Sequence, residues 1–225
     1  MKDKVEPSEQ TDASVTYGPN RISADDLHVH GHFDLQCVGP VEDRRAEYVA
    51  LRTAIAEAEA VGDDESAAQY RAQLSAIPTE EKWRDGIDNL VTTVGKNDLL
   101  DKYLLGSGYT QTFRMGLAGA GTKAAGDTQA SHAGWLEVGL ANAPTYTGNR
   151  KSVTMGGAAA GASTSPTQAF AMTSSGTVAG CFTNNGGSAT VDNTTGVLFS
   201  AGDFTAGNKV VTNGDTINVT YSLAV

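Results

Sequence analysis

The C-terminal stretch Asp215-Thr-Ile-Asn-Val-Thr-Tyr-Ser-Leu-Ala-Val225 alternates without a break. Ile217, Val219, Tyr221 and Leu223 fall on one face, Asn218, Thr220 and Ser222 on the other. A period of two over this length marks a strand with one buried face. The same texture fills the second half of the chain, where about ten Asp, Glu, Lys or Arg residues remain beyond Thr110 among Thr, Val, Ala, Asn and Gly. That composition suits a β-rich shell or fibre module. Tyr109, Gln111, Phe113, Met115 and Leu117 alternate too. Further strands are expected near Trp135 to Leu140, Lys151 to Met155, Gln168 to Met172, Val178 to Thr183, Val197 to Ser200 and Lys209 to Thr212, separated by Gly-, Asn- and Ser-rich turns. Gly156 to Ser165, nearly all Gly, Ala, Ser and Thr, reads as a loop or a bland strand. The spacing predicts a mainly β protein, an antiparallel β-sandwich.

The first half is different. From His28 to Val38, Val29, Phe33, Leu35 and Cys37 alternate with His28, His30, His32, Asp34 and Gln36, and Gly39-Pro40 is expected to break this strand. The period then turns helical. Tyr48, Leu51, Ile55 and Ala58 form one stripe, Gly62-Asp63-Asp64 a turn, and Ala67, Tyr70, Leu74 and Ile77 a second stripe ended by Pro78. Residues 41–81 therefore predict an αα-hairpin with an acidic outer face, an excursion from the main domain. Lys82 to Asp85 and Asn89 to Val94 read as returning strand segments, and Leu99, Leu100, Tyr103 and Leu104 as one face of a short helix within Gly95 to Leu105. Residues 1–26 are polar and punctuated by Pro7, Gly18 and Pro19, so the segment is expected to be an extended arm. Val5, Val15, Tyr17 and Ile22 are its candidate interface residues, contacting a neighbouring chain. The domain expectation is an arm (1–26), a sandwich (27–40 and 82–225) and an inserted hairpin (41–81).

The chain of 225 residues has a formal net charge of −10, and no Lys/Arg cluster is available to displace counterions from a phosphate backbone, which argues against nucleic-acid binding. Cys37 and Cys181 stand alone, without metal-ligand spacing, which suggests neither a disulfide framework nor a zinc site and points to a reducing place of synthesis. The first residues lack an apolar signal region and no apolar run approaches the ~20 residues that span a bilayer, so no membrane partner is expected.

Four groups of residues invite a chemical reading. Asp127, Ser131 and His132 have the side chains of a hydrolase triad, but adjacent Ser and His diverge in an extended loop and no Gly-x-Ser-x-Gly elbow accompanies them. The favoured reading is a turn in which Asp127 caps Thr128 and Gln129, His132 meets neighbouring carbonyls and Trp135 plugs the core. Trp83 and Trp135 are read as core or interface anchors. His28, His30 and His32 share a strand face and are the candidate metal ligands, although same-face neighbours stand ~7 Å apart and rarely converge on one ion. The favoured reading is a solvated or subunit-facing surface. Asp25-Asp26 and Asp63-Asp64-Glu65 lack calcium-loop spacing, and Gly119-Ala-Gly121 lacks the Lys-Ser/Thr of a phosphate loop. No catalytic residue and no cofactor is expected.

Two blocks carry a family resemblance. Asn89-Leu-Val-Thr-Thr-Val-Gly-Lys-Asn-Asp-Leu-Leu-Asp-Lys-Tyr-Leu104 and Asp127-Thr-Gln-Ala-Ser-His-Ala-Gly-Trp135, with Glu137, resemble a family of tailed-bacteriophage virion proteins. Lys82 to Asp85, Gly196 to Phe204 and Gly214 to Tyr221 are similar at lower specificity, while the hairpin from Val41 to about Glu81 replaces a short turn. The resemblance implies a non-enzymatic structural protein, described in such families as a head decoration, cement or minor tail component. The expected partners are then the major capsid protein and further copies of the chain, as a homotrimer or near-threefold cluster on the capsid exterior. The alternative is a tail or head-fibre protein, against which the hairpin offers only short helices. A hydrolase would need paired carboxylates in a cleft, and Asp and Glu are scarcest in the β-rich half.

Overall fold

A computed structural model describes residues 29–106, 108 and 112–225. The arm expected over 1–26, with its candidate interface residues Val5, Val15, Tyr17 and Ile22, lies outside the described residues, as do His28, Tyr109 and Gln111.

The protein is mainly β. Its strands are β1 (His30–Pro40), β2 (Thr79–Val91), β3 (Phe113–Gly121), β4 (Trp135–Val138), β5 (Lys151–Ser152), β6 (Ala162–Thr164), β7 (Gln168–Ala171), β8 (Gly176–Val178), β9 (Gly180–Asn185), β10 (Val197–Asp203), β11 (Lys209–Val211) and β12 (Thr216–Ala224). All but β8 and β11 join one antiparallel sheet, ordered β4-β3-β9-β10-β2-β1-β12-β6, with β5 on β3 and β7 on β12. The alternation in the C-terminal stretch sets its centre. β12 pairs with β1 so that Tyr221 faces Phe33, Val219 faces Leu35 and Ile217 faces Cys37, and all six side chains are fully buried. β2 lies along the other side of β1 and then, through Leu90 and Val91, pairs with β10. A strand that changes partners in this way lets the sheet turn over on itself, as at the corner of a sandwich. The inner faces of the two halves meet: Ser200 Oγ, on β10, donates to the Tyr221 hydroxyl at 3.3 Å and pairs with Thr183 Oγ1 of β9 at 2.7 Å.

The centre of the β3-β9-β10 half departs from simple alternation. Every residue of β9 is buried, because this half is covered on both faces. One face joins the main core with Met115, Leu117, Cys181 and Phe199. The other holds a second cluster of Ala118, Trp135, Phe182, Leu198 and Ala201. The strand expected near Val178 to Thr183 is two strands, β8 and β9, parted at Ala179, and β8 pairs instead with β11 as a separate ribbon. Gly39-Pro40 does not break β1, which runs through it against Thr79 and Glu80 of β2.

The helical hairpin consists of a 3-10 turn, Glu42–Arg44, then α1 (Arg45–Val61) and α2 (Asp64–Ser75). Gly62 closes α1 at φ 73°, a left-handed conformation that glycine adopts without a Cβ penalty. Asp63 caps α2 by accepting from the Ser66 amide at 3.0 Å. Leu51, Ala58 and Ala67 are buried in the hairpin. It is less of an excursion than the sequence predicts. Arg45 Nη1 donates to Asp215 Oδ1 at 2.8 Å and to the Asn213 carbonyl at 3.0 Å, and Arg52 reaches the Met172 carbonyl at 3.3 Å. The root of α1 is thereby fixed to the turn before β12.

Where the sequence predicts strand as far as Val94, the helix α3 (Thr93–Leu104) has already begun. Thr92 is the reason. Its hydroxyl accepts from the Gly95 amide and donates to the Leu198 carbonyl, so one side chain caps the helix and ties it to β10. Gly95 allows the close approach, since a methyl group there would overlap the Phe199 main chain. Among the described residues no helix is long and apolar enough to cross a membrane.

Candidate interaction surface

The Asp127-to-Trp135 block folds as a fastener for the second apolar cluster. Asp127 Oδ2 accepts from the Ala124 amide and from the Trp135 indole, both at 2.9 Å. The capping of Thr128 and Gln129 expected of Asp127 is not what it does. The Thr128-Ser131 turn closes through Thr128 and Ser131 themselves. His132 stacks on the Trp135 ring at 4.1 Å between centroids, with Nδ1 3.1 Å from the Trp135 carbonyl oxygen. The carboxylate thus serves an indole and the imidazole a carbonyl, so the three residue types of a triad are not wired as one.

Behind this block lies the most buried ion pair among the described residues. Arg150 makes two bonds to Glu137, Nε at 2.8 Å and Nη2 at 2.6 Å, with side-chain exposures of 0% and 2%. The remaining lone pairs and protons are also used. Glu137 Oε2 accepts from the Asp192 amide, and Arg150 donates to the Ser188 and Asn193 carbonyls. A pair so completely bonded is costly to break singly, because either partner left alone would be an unpaired buried charge. The guanidinium also lies 5.4 Å from the Phe182 ring centroid. Sequence reading missed the pair because Glu137 and Arg150 sit in different segments with no motif spacing.

The histidine strand places His30 and His32 on the exposed face of β1. His32 Nδ1 is 2.8 Å from Asp88 Oδ1 on β2. Among the described residues no group of three or more His, Cys, Asp or Glu side chains is arranged to hold a metal ion. Cys37 and Cys181 are buried free thiols. Burial, with Asp215 nearby, pushes Cys37 up to about 12, and burial raises Cys181 as well. Neither has the thiolate character of a reactive cysteine. Gly119-Ala-Gly121 is the end of β3, paired with β4, and not a loop. Trp83 donates from Nε1 to the Val210 carbonyl at 3.2 Å and packs edge-on against Phe204.

The distinctive surface lies at α3, where apolar side chains gather without cover from the described residues. Tyr103 is 86% exposed, Leu105 75%, Leu104 67% and Leu100 48%. Large apolar side chains grouped in this way mark interaction sites more often than chance exposure. Beside them a cavity of about 400 Å³ opens between α3 and the end of the sandwich. Leu99, Tyr103, Phe113, Met155, Phe199 and Leu223 form its apolar walls. Asn185 contributes a polar wall. Its side-chain nitrogen donates to Asp98 Oδ2 at 2.7 Å, while Oδ1 has no hydrogen-bond partner among the described residues although the residue is only 5% exposed.

The mainly β fold thus combines a fully paired buried ion pair, Glu137–Arg150, with apolar side chains at α3 that the described residues leave exposed. No protein-family model, curated protein or solved structure was found to match the chain.

Proposed function

We propose that this chain is a non-enzymatic structural protein of a tailed-bacteriophage virion, a decoration or cement protein that adheres to the outer surface of the head. Its partners are the major capsid protein and further copies of itself, clustered around threefold positions. One observation carries the reading. The block from Asn89 to Leu104, on which the resemblance to virion proteins rests, forms the end of β2 and all of α3. It therefore supplies the exposed Leu100, Tyr103 and Leu104 together with the Leu99 wall of the cavity.

Physical considerations support the same reading. An apolar ridge on a body whose buried charges are paired internally can lie against a protein lattice at little desolvation cost. Modest binding per copy suffices, since many simultaneous contacts multiply into firm attachment. Electron cryomicroscopy of virions with copy counting tests the proposal. On the order of hundreds of copies spread over the head are expected for a lattice-bound cement. A few copies confined to a vertex or the tail would replace it with the tail or head-fibre reading.

A further inference from the structure

The space of about 400 Å³ beneath α3 is left unfilled by the described residues. Its walls bring aromatic rings and a thioether together. Phe113 and Phe199 meet edge to face with centroids 5.1 Å apart, Tyr221 is fully buried, and Met155 and Leu223 pack against the same core. Several polar groups of the lining are already engaged. Ser163 Oγ donates to the Gly156 carbonyl at 2.7 Å, the Tyr221 hydroxyl accepts from Ser200, and Asp98 Oδ2 accepts from the Asn185 side-chain nitrogen. Asn185 Oδ1 differs from these. A carboxylate can only accept, so Asp98 fixes which end of the Asn185 amide faces it. The oxygen is left as a buried acceptor without a donor among the described residues.

We propose that this cavity is a binding site for a compact aromatic alcohol, its rings lying among Phe113, Phe199, Met155 and Leu223 and its hydroxyl donating to Asn185 Oδ1. The volume suits two fused rings. An apolar cavity of ~150 Å³ holds one benzene, and small-molecule pockets typically begin at ~300 Å³. Water suits such a space poorly, since it needs several polar partners and these walls are mostly apolar. A hydroxyl on an apolar body needs only one, and it supplies the donor that the buried acceptor lacks. An ionised head would give up its hydration against the same walls, which favours a neutral hydroxyl over an ammonium or a carboxylate. The Phe113 and Phe199 rings and the Met155 sulfur favour an aromatic body over an alkyl chain. This binding does not depend on the virion reading, and purified protein suffices to test it.

Isothermal titration calorimetry of the full-length protein provides the test, with 2-naphthol as the probe and 2-methylnaphthalene, of nearly the same shape but without a donor, as its control. Saturable binding of 2-naphthol is expected, about tenfold tighter than that of the control, because only the alcohol satisfies the buried acceptor. Asn185→Leu should erase this preference while the hydrocarbon still binds. Met155→Trp, which fills the space, should weaken both ligands about tenfold or more, with the circular dichroism of the sandwich unchanged. Absence of saturable 2-naphthol binding, equal affinity for the two ligands, or a preference that survives Asn185→Leu would overturn the proposal. Undiminished binding by Met155→Trp would place the ligand elsewhere and overturn it equally. Should Asn185→Leu fail to fold, the two ligands on the unaltered protein and on Met155→Trp still decide.

Discussion

The two ends of β3 lie in opposite surroundings. At its C-terminal end, around Gly121 and the paired Trp135, the indole, the Asp127 carboxylate and the nearby Glu137–Arg150 pair all have partners. At its N-terminal end, Phe113 is a wall of an open apolar cavity, below a helix whose Tyr103, Leu104 and Leu105 are exposed and beside an Asn185 oxygen without a donor among the described residues. Both ends contain polar groups within an apolar setting, but only one has been completed by the described part of the fold. A closed end contributes stability. An open end invites contact, since covering apolar surface and supplying a donor to a buried acceptor both lower free energy.

The contrast can be broken most directly at its closed end. Arg150→Ala should cost about 3–5 kcal/mol in urea unfolding, because Glu137 is left buried and unpaired. The double variant Glu137→Leu with Arg150→Met should lose far less. A loss under about 1 kcal/mol in the single variant would mean that water reaches the pair and the end is not closed. Next comes Gly95→Ala, which forces α3 away from Phe199 and should cost about 1–3 kcal/mol. A fall in melting temperature, with the β-sheet circular-dichroism signal retained, would localise the effect to the helix.

At the open end the expected signature is the reverse. Tyr103→Ser with Leu104→Ser should leave unfolding free energy within about 0.5 kcal/mol, yet weaken attachment to virions about tenfold in a sedimentation assay, as for a lost contact centre. Unchanged attachment would remove α3 from the adhesive surface. The smallest effect concerns acid. Burial raises the Asp85 carboxyl, but bonds from Lys209 Nζ at 2.7 Å and from the Gly86 and Ala206 amides outweigh this and leave it below its ordinary range. A depressed carboxyl stabilises the fold above its unfolded pKa near 3.9 and loses that contribution as pH falls through the folded value. Asp85→Asn should therefore flatten the stability profile below about pH 4 by about 1 kcal/mol or less, as read from melting temperature against pH.

Particular residues show how far the sequence could be read. The faces of β1 and β12 were legible because their alternation is unmixed, and the hairpin was legible from its stripes and from Gly62. The start of α3 was not, since Thr92-Thr93-Val94 has strand propensity and the helix begins there only because Thr92 finds the Leu198 carbonyl and the Gly95 amide. The Asp127 block announced a turn around a core tryptophan, but not that Asp127 would bind the indole of Trp135. Nothing in the sequence linked Glu137 to Arg150, and the cavity was invisible because its walls come from positions as distant as Leu99 and Leu223.

Sequence alone determined that this is a mainly β chain, poor in charge beyond Thr110, with a helical hairpin, because period, turn residues and charge act over a few neighbouring positions. Tertiary structure decided which strands would be buried on both faces, which carboxylate would meet which cation, and which end of the sandwich would be left open. Those outcomes depend on the sheet turning over at β2, which brings distant segments together, and no local pattern records which of them will meet.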